Sequence, residues 1–180
     1  MPSSIKIASD GTGNVRRRTT ADRTLIAPVA ALRRNPGSRL RVAAVVRAHD
    51  LAVSGSHIPE GSPVTVDVVL ESVHDGVLVS GGIRAMWEGA CRRCLETAMG
   101  DLAVTVRELC VEDADDETTY PLGSDEVDLE RIVHDACILE LPLAPLCGEG
   151  CRGLCPECGS NRNVETCSCA ERRGGRPTPA

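Results

Sequence analysis

From Pro63 the chain alternates: Val64, Val66, Val68 and Leu70 are apolar, and Thr65 and Asp67 between them are polar. A two-residue period is that of a β-strand with one face buried. His74-Asp75-Gly76 then offers a tight turn, and Val77, Val79, Ile83, Ala85 and Trp87 resume the alternation. Two such runs about an Asp-Gly turn predict a long β-hairpin. Gly81-Gly82 inside the second run suggests a bulge or a bend. Leu102, Val104 and Val106 mark a further strand running towards Cys110, and the valine-rich stretch 40–47 marks one before the hairpin.

Helical spacing occurs twice. Leu25, Ile26, Val29 and Leu32 predict a short helix closed by Pro36-Gly37. Leu129, Ile132, Val133 and Ala136 predict a late helix, which Ser124 to Asp128 would open with a capping residue and acids in its first turn. Pro142 would end it. The pattern describes an α+β, β-rich fold: an antiparallel sheet or partly open barrel built on the long hairpin, with a short N-terminal helix and one late helix. The predicted organisation is a disordered basic tail (1–20), a β-rich core domain (21–146), a cysteine-rich segment resembling a zinc knuckle (147–169) and a disordered tail (170–180).

Neither period runs through residues 147–169, which hold six of the ten cysteines and are broken up by glycine and proline. Something other than an apolar core must order this segment. Zinc takes four ligands in a tetrahedron, and two cysteines two residues apart reach one ion from a tight turn. Cys155-Pro-Glu-Cys158-Gly is such a turn, and Cys167-Ser-Cys169 returns a second close pair. These four make the first candidate site. Cys147 and Cys151, together with Cys91 and Cys94 at the end of the hairpin, would make a second. Cys91-x2-Cys94 also fits a redox pair, although the strand-to-helix setting usual for one is absent. Cys110 and Cys137 read as small buried hydrophobes. Both proposed sites are closed by protein ligands, as structural zinc sites are.

Charge alters the picture by its distribution. The net value of −6 divides into +7 over residues 1–50, −14 over 51–144 and +1 over the remainder. Arg16, Arg17, Arg18, Arg33, Arg34, Arg92 and Arg93 are the candidate RNA contacts, since guanidinium groups pair with phosphates. Arg92 and Arg93 would serve equally to offset thiolate charge, and the first three equally as a solvated tail. Trp87 and Tyr120 are the only aromatic residues, too few for a platform that stacks several bases. The acidic run 112–117 lacks the glycine and terminal glutamate of a calcium loop. The N-terminus carries no apolar signal core, and no run of about 18 apolar residues provides a membrane span. The expected location is therefore the cytoplasm, with no membrane partner. No nucleophile elbow, P-loop, dinucleotide fingerprint or metalloprotease motif occurs, so no catalytic residue is assigned and the chain reads as a non-enzyme.

The segment 82–96, GIRAMWEGACRRCLE, resembles the one that marks the bacterial YceD family, where a strand ends in C-x-R-C-L. Asp128-Leu129, the run 139–142 (LELP) and the run 151–163 (CRGLCPECGSNRN) extend the likeness, the last to the Gram-positive and actinobacterial branch that carries a C-terminal cysteine cluster. The resemblance implies a role in synthesis, processing or stability of the 23S ribosomal RNA. It implies as partners the precursor rRNA or an assembling large subunit, with ribosomal proteins as further partners. It carries over no catalytic residues. The alternative reading of the same cysteines is a zinc- or thiol-based redox-responsive regulator, or a protein-interaction adaptor.

Overall fold

The computed structural model describes residues 4–8, 18–19, 25–115 and 118–169. Its centre is the predicted hairpin: β6 (Pro63–Val73) and β7 (Gly76–Ala90), joined at His74-Asp75. A second turn at 91–96 returns the chain as β8 (Thr97–Val111). On the other side of β6 lies β4 (Arg39–Arg47), followed by β1 (Ser4–Ala8) and β2 (Arg18–Thr19). Two short strands complete this sheet: β5 (Ser56–His57) pairs with β7, and β9 (Tyr120–Pro121) lies parallel to the end of β8. The order β2-β1-β4-β6-β7-β8-β9 has two ends, so the sheet is open and not a closed barrel.

Alternation sorts the two faces of the sheet. Val64, Val66, Val68, Leu70, Val77, Val79 and Ile83 are at most 2% exposed. Against this face pack Leu129, Ile132, Val133 and Cys137 of α2 (Leu129–Glu140), with Ala27 and Val127. Each fully buried aliphatic side chain contributes about 1.5–3 kcal/mol from removal of apolar surface from water. Cys110 and Cys137 are both fully buried in this core. Burial pushes both thiols up to about 11, as suits inert hydrophobes.

Four sequence expectations need correction. The stretch Leu25 to Leu32 is not one helix. Ile26–Pro28 is a strand, β3, antiparallel to β10 (Glu126–Asp128), and only Ala30–Arg33 is helical, as α1. Pro28 has no N–H to give a helix, whereas the partner strand satisfies its neighbours: Val29 N donates to Asp125 O at 2.8 Å and Leu129 N to Leu25 O at 2.8 Å. The late helix accordingly starts at Leu129 instead of near Ser124. Its cap is Asp128, whose carboxylate accepts from Glu130 N at 2.9 Å.

The third concerns Gly81-Gly82, where no bulge occurs: the register of β7 with both neighbours continues through the pair. Glycine is needed there for close approach, because a Cβ on Gly81 would lie 2.3 Å from Asp67 O. The fourth lies within residues 1–20, read as a tail. There Ser4–Ala8, a short apolar–polar alternation, lies along β4, while 1–3, 9–17 and 20 fall outside the described residues. The tail 170–180 likewise falls outside them.

Gly81→Ala should lower stability by about 2–3 kcal/mol, in the range of a backbone clash in a packed sheet. Gly82→Ala, whose Cβ would meet only Val104 O at 3.7 Å, should be neutral or stabilising. Urea midpoints at constant m-value measure both.

Candidate metal centres

The 91–96 turn and the segment after Cys147 are built on the same local plan. In the first, Cys91 N donates to Glu96 O at 2.8 Å and Leu95 N donates to Cys91 O at 2.9 Å. In the second, Cys155 N donates to Ser160 O at 2.8 Å and Gly159 N donates to Cys155 O at 2.8 Å. Each turn aims two sulfurs at one point. The residue after the second cysteine is left-handed in both, with φ 74° at Gly159 and φ 64° at Leu95. Glycine adopts that conformation freely, and leucine does so at a cost of roughly 1–2 kcal/mol. Leu95 is moreover 68% exposed, so its own burial does not offset that cost.

Tertiary structure brings the C-terminal segment to the hairpin's end. Arg92 N donates to Pro145 O at 2.9 Å, and Leu154 N donates to Arg93 O at 3.0 Å. Ser56 anchors the approach, its hydroxyl donating to Pro142 O at 2.8 Å. Two groups of four thiols result. Cys91, Cys94, Cys147 and Cys151 form one, and Cys155, Cys158, Cys167 and Cys169 the other, with all sulfurs within 4.8 Å of one another in each. In the first, Cys91 and Cys151 sulfurs are 3.7 Å apart and those of Cys94 and Cys147 3.5 Å. A tetrahedron with metal–sulfur bonds of about 2.3 Å has edges of about 3.8 Å. The donor set and its spacing fit a metal ion at each group.

The groups differ in setting. Cys91, Cys94 and Cys151 are buried, and Ala98 and Trp87 pack against them, Trp87 touching the main core as well. In the second group only Cys155 is buried. Electrostatics within each group follow from crowding four thiols. Burial opposes ionisation of Cys91, but backbone N–H groups of Cys147, Cys94 and Arg93 outweigh it and bring the thiol down to about 6. Ser160, through its hydroxyl and its backbone N–H, brings Cys158 down to about 6. Cys147 holds its proton against the sulfurs of Cys94 and Cys151 and rises to about 12, and Cys169, facing Cys158, to about 11. The first thiolates to form thus resist the rest, and a divalent cation removes that resistance.

Asn161 and Asn163 complete the arrangement. Asn163 Nδ2 reaches Cys151 Sγ at 3.4 Å and Asn161 Oδ1 at 2.9 Å, while its Oδ1 accepts from Arg152 N at 2.7 Å. Sequence reasoning assigned these two residues no role; the available signal was that both fall within the run 151–163 that carries the family resemblance. The Arg93 guanidinium donates to Cys151 O at 3.1 Å, beside the first group.

Among the described residues, the arginines singled out from sequence lie in separate places. Arg16 and Arg17 fall outside the described residues, and Arg18 lies in β2. Arg33 is ion-paired to Glu112 and donates to Ser124 O at 2.8 Å. It lines an open pocket with His74, Asp75 and Gly76, beside the exposed Arg34. Arg92 and Arg93 stand at the opposite end of β7, a 15-residue strand away and on the order of 45 Å if straight.

A family model described as "Large ribosomal RNA subunit accumulation protein YceD" matches residues 79–177. An uncharacterised protein of Mycobacterium tuberculosis is 36% identical over 170 residues, covering 82% of this chain and 81% of the relative. One from Mycobacterium leprae is 34% identical over 81% of this chain and 73% of the relative. The protein named large ribosomal RNA subunit accumulation protein YCED homolog 1, chloroplastic, of Arabidopsis thaliana is 23% identical over 62% of this chain and 45% of its own length. No solved structure matches the chain.

Removing one ligand from each group should separate their roles. Cys155→Ser should halve the bound metal and open residues 155–169 to protease while leaving the hairpin intact. Cys91→Ser should also halve it, but should shift Trp87 fluorescence and lower the melting temperature, because that group is packed against the sheet. Metal analysis, limited proteolysis and emission spectra read the three effects.

Proposed function

The chain belongs to the YceD family, and from that premise we propose that it is a non-enzymatic factor for assembly of the large ribosomal subunit. It acts in the cytoplasm on 23S rRNA or its precursor, within the assembling particle. The family match across 79–177, which spans the 91–96 turn and the whole cysteine-rich segment, carries this reading. The plant relative, whose printed name refers to large ribosomal RNA subunit accumulation, supports it.

The metal of both groups is zinc in this reading. Four thiols from the chain supply every position of a tetrahedron, so none is left for water or substrate, and the ions hold structure. What they hold is the attachment of the C-terminal segment to the end of β7–β8. Arg92, exposed beside that attachment, is the candidate contact to phosphate; Arg93 is engaged with Cys151 O and serves first to steady the site.

One observation favours a second reading, thiol-based sensing: Cys158 is exposed and lowered to about 6, the profile of a reactive thiol. Thiol titration of the anaerobically purified, metal-loaded protein separates the two. Zinc that protects all eight cysteines until denaturation supports structure, and a fast-reacting Cys158 with labile zinc supports sensing.

Depletion of the protein in cells should lower mature 23S rRNA and raise its precursors, with 16S rRNA little changed. Crosslinking followed by sequencing should recover 23S sequence. Unaltered 23S levels on full depletion would refute the assembly role.

A further inference from the structure

β8 ends the main sheet on the side away from β7, and β9 covers that edge only at Cys110 and Val111. From Thr97 to Leu109 the edge has no backbone partner among the described residues. Open edges of this length are ordinarily blunted by proline, a bulge, a covering element or charge. β8 contains no proline, and its register with β7 is unbroken. It does carry Asp101 and Arg107 on the exposed face, of opposite sign, and a single charge, the partly buried Glu108, on the other.

Hydrogen-bond parity identifies which residues face outward. The N–H and C=O of one strand residue leave on the same side. Val111 O accepts from Leu122 N, on the β9 side, at 2.8 Å. Residues 99, 101, 103, 105, 107 and 109 share that parity, so their backbone groups project from the open edge. Their side chains stand on the solvent face, from Met99, 67% exposed, to Leu109, partly exposed.

We propose that β8 pairs antiparallel with β8 of a second copy of this chain, across a two-fold axis at Val104. This register sets Met99 opposite the partner's Leu109, Asp101 opposite the partner's Arg107 and Ala103 opposite the partner's Thr105. Every contact occurs twice, as a two-fold interface requires. Each facing pair joins two outward residues, so each exchanges a pair of backbone hydrogen bonds. On the inner face Leu102 meets the partner's Val106, and Val104 meets its own counterpart, keeping both faces sorted. A shift by two residues either way separates Asp101 from Arg107, and a shift by one breaks the hydrogen-bond parity. Pairing stops at Leu109, where β9 takes the edge. The outer face of the stretch 99–109 is thus self-complementary in charge and apolar character about its midpoint, and on the inner face Glu108 meets only the partner's Gly100, so a copy of the strand is selected as occupant over an unrelated one.

Sedimentation equilibrium of the full-length, zinc-loaded protein tests this. A reversible monomer–dimer equilibrium is expected. Asp101→Arg or Arg107→Asp alone places like charges opposite one another twice and should weaken dimerisation roughly tenfold or more. Mixing these two variants, or combining both changes in one chain, restores opposite charges and should restore the dimer. Thr105→Pro removes only an N–H that points off the open edge, so it should leave the monomer folded by Trp87 fluorescence and abolish pairing. A wild-type protein that stays monomeric at about 100 µM, far above the Kd of an ordinary specific dimer, overturns the proposal. So does a dimer that survives Thr105→Pro or is indifferent to the charge changes. None of these readouts depends on the rRNA role, so either conclusion can fail alone.

Discussion

Four thiols held within 4.8 Å of one another cannot all ionise without a cation, and the order of residues 147–169 depends on that fact. Residues 147–169 bury little apolar surface of their own; Leu146 and Leu154 only partly close over the first group. The covalent chain brings four of the eight sulfurs near one another through two turns of identical hydrogen bonding. Charge neutralisation by a metal ion, which both groups could hold, would supply the remainder. Site and fold are here one problem, because a segment without a core is ordered by its ligands.

The first group extends that dependence into the sheet. Cys91 and Cys94 close the β7–β8 turn, and Trp87 lies between their cluster and the main core. An ion held there would be tied to the longest ladder among the described residues, whereas one held by the second group would sit on an exposed appendage. Leu95 shows the same turn bearing a strained and exposed residue where its counterpart is Gly159. The hydrogen bonds of the turn, Leu95 N to Cys91 O and Cys91 N to Glu96 O, hold the leucine in place.

The sheet itself follows simpler rules. Alternation places valines on one face and arginines, acids and small residues on the other, and the helix and the β3–β10 pair cover the apolar side. What alternation does not manage is the edge. β1 and β2 extend the sheet on one side, and on the other β9 covers just two residues of β8. The symmetry of side chains along the remainder gives that edge a partner of its own kind.

Legibility in the sequence tracked the range of the forces involved. The hairpin, β4, β8 and the apolar stripe of α2 were readable because period and turn chemistry act over a few residues. The close spacing of Cys155 with Cys158, and of Cys91 with Cys94, was readable for the same reason. The helix expected over 25–32 was not a safe inference, since Leu25, Ile26, Val29 and Leu32 fit a helical period equally well until β10 arrives as a partner 100 residues later. Likewise, Gly81-Gly82 announces something unusual, but only the neighbouring strand shows that it is proximity to Asp67 O and not a bulge. Local pattern sufficed for β4, the β6–β7 hairpin, β8 and a set of thiols in excess of one ion, but not for β3, β10 or the other short strands, which exist only through their partners. Long-range packing is what sets Cys147 and Cys151 against Cys91 and Cys94, bridges Asn163 to Cys151, and leaves Arg33 and Arg92 at opposite ends of a strand. Those facts rest on contacts between distant parts of the chain, which local pattern does not encode.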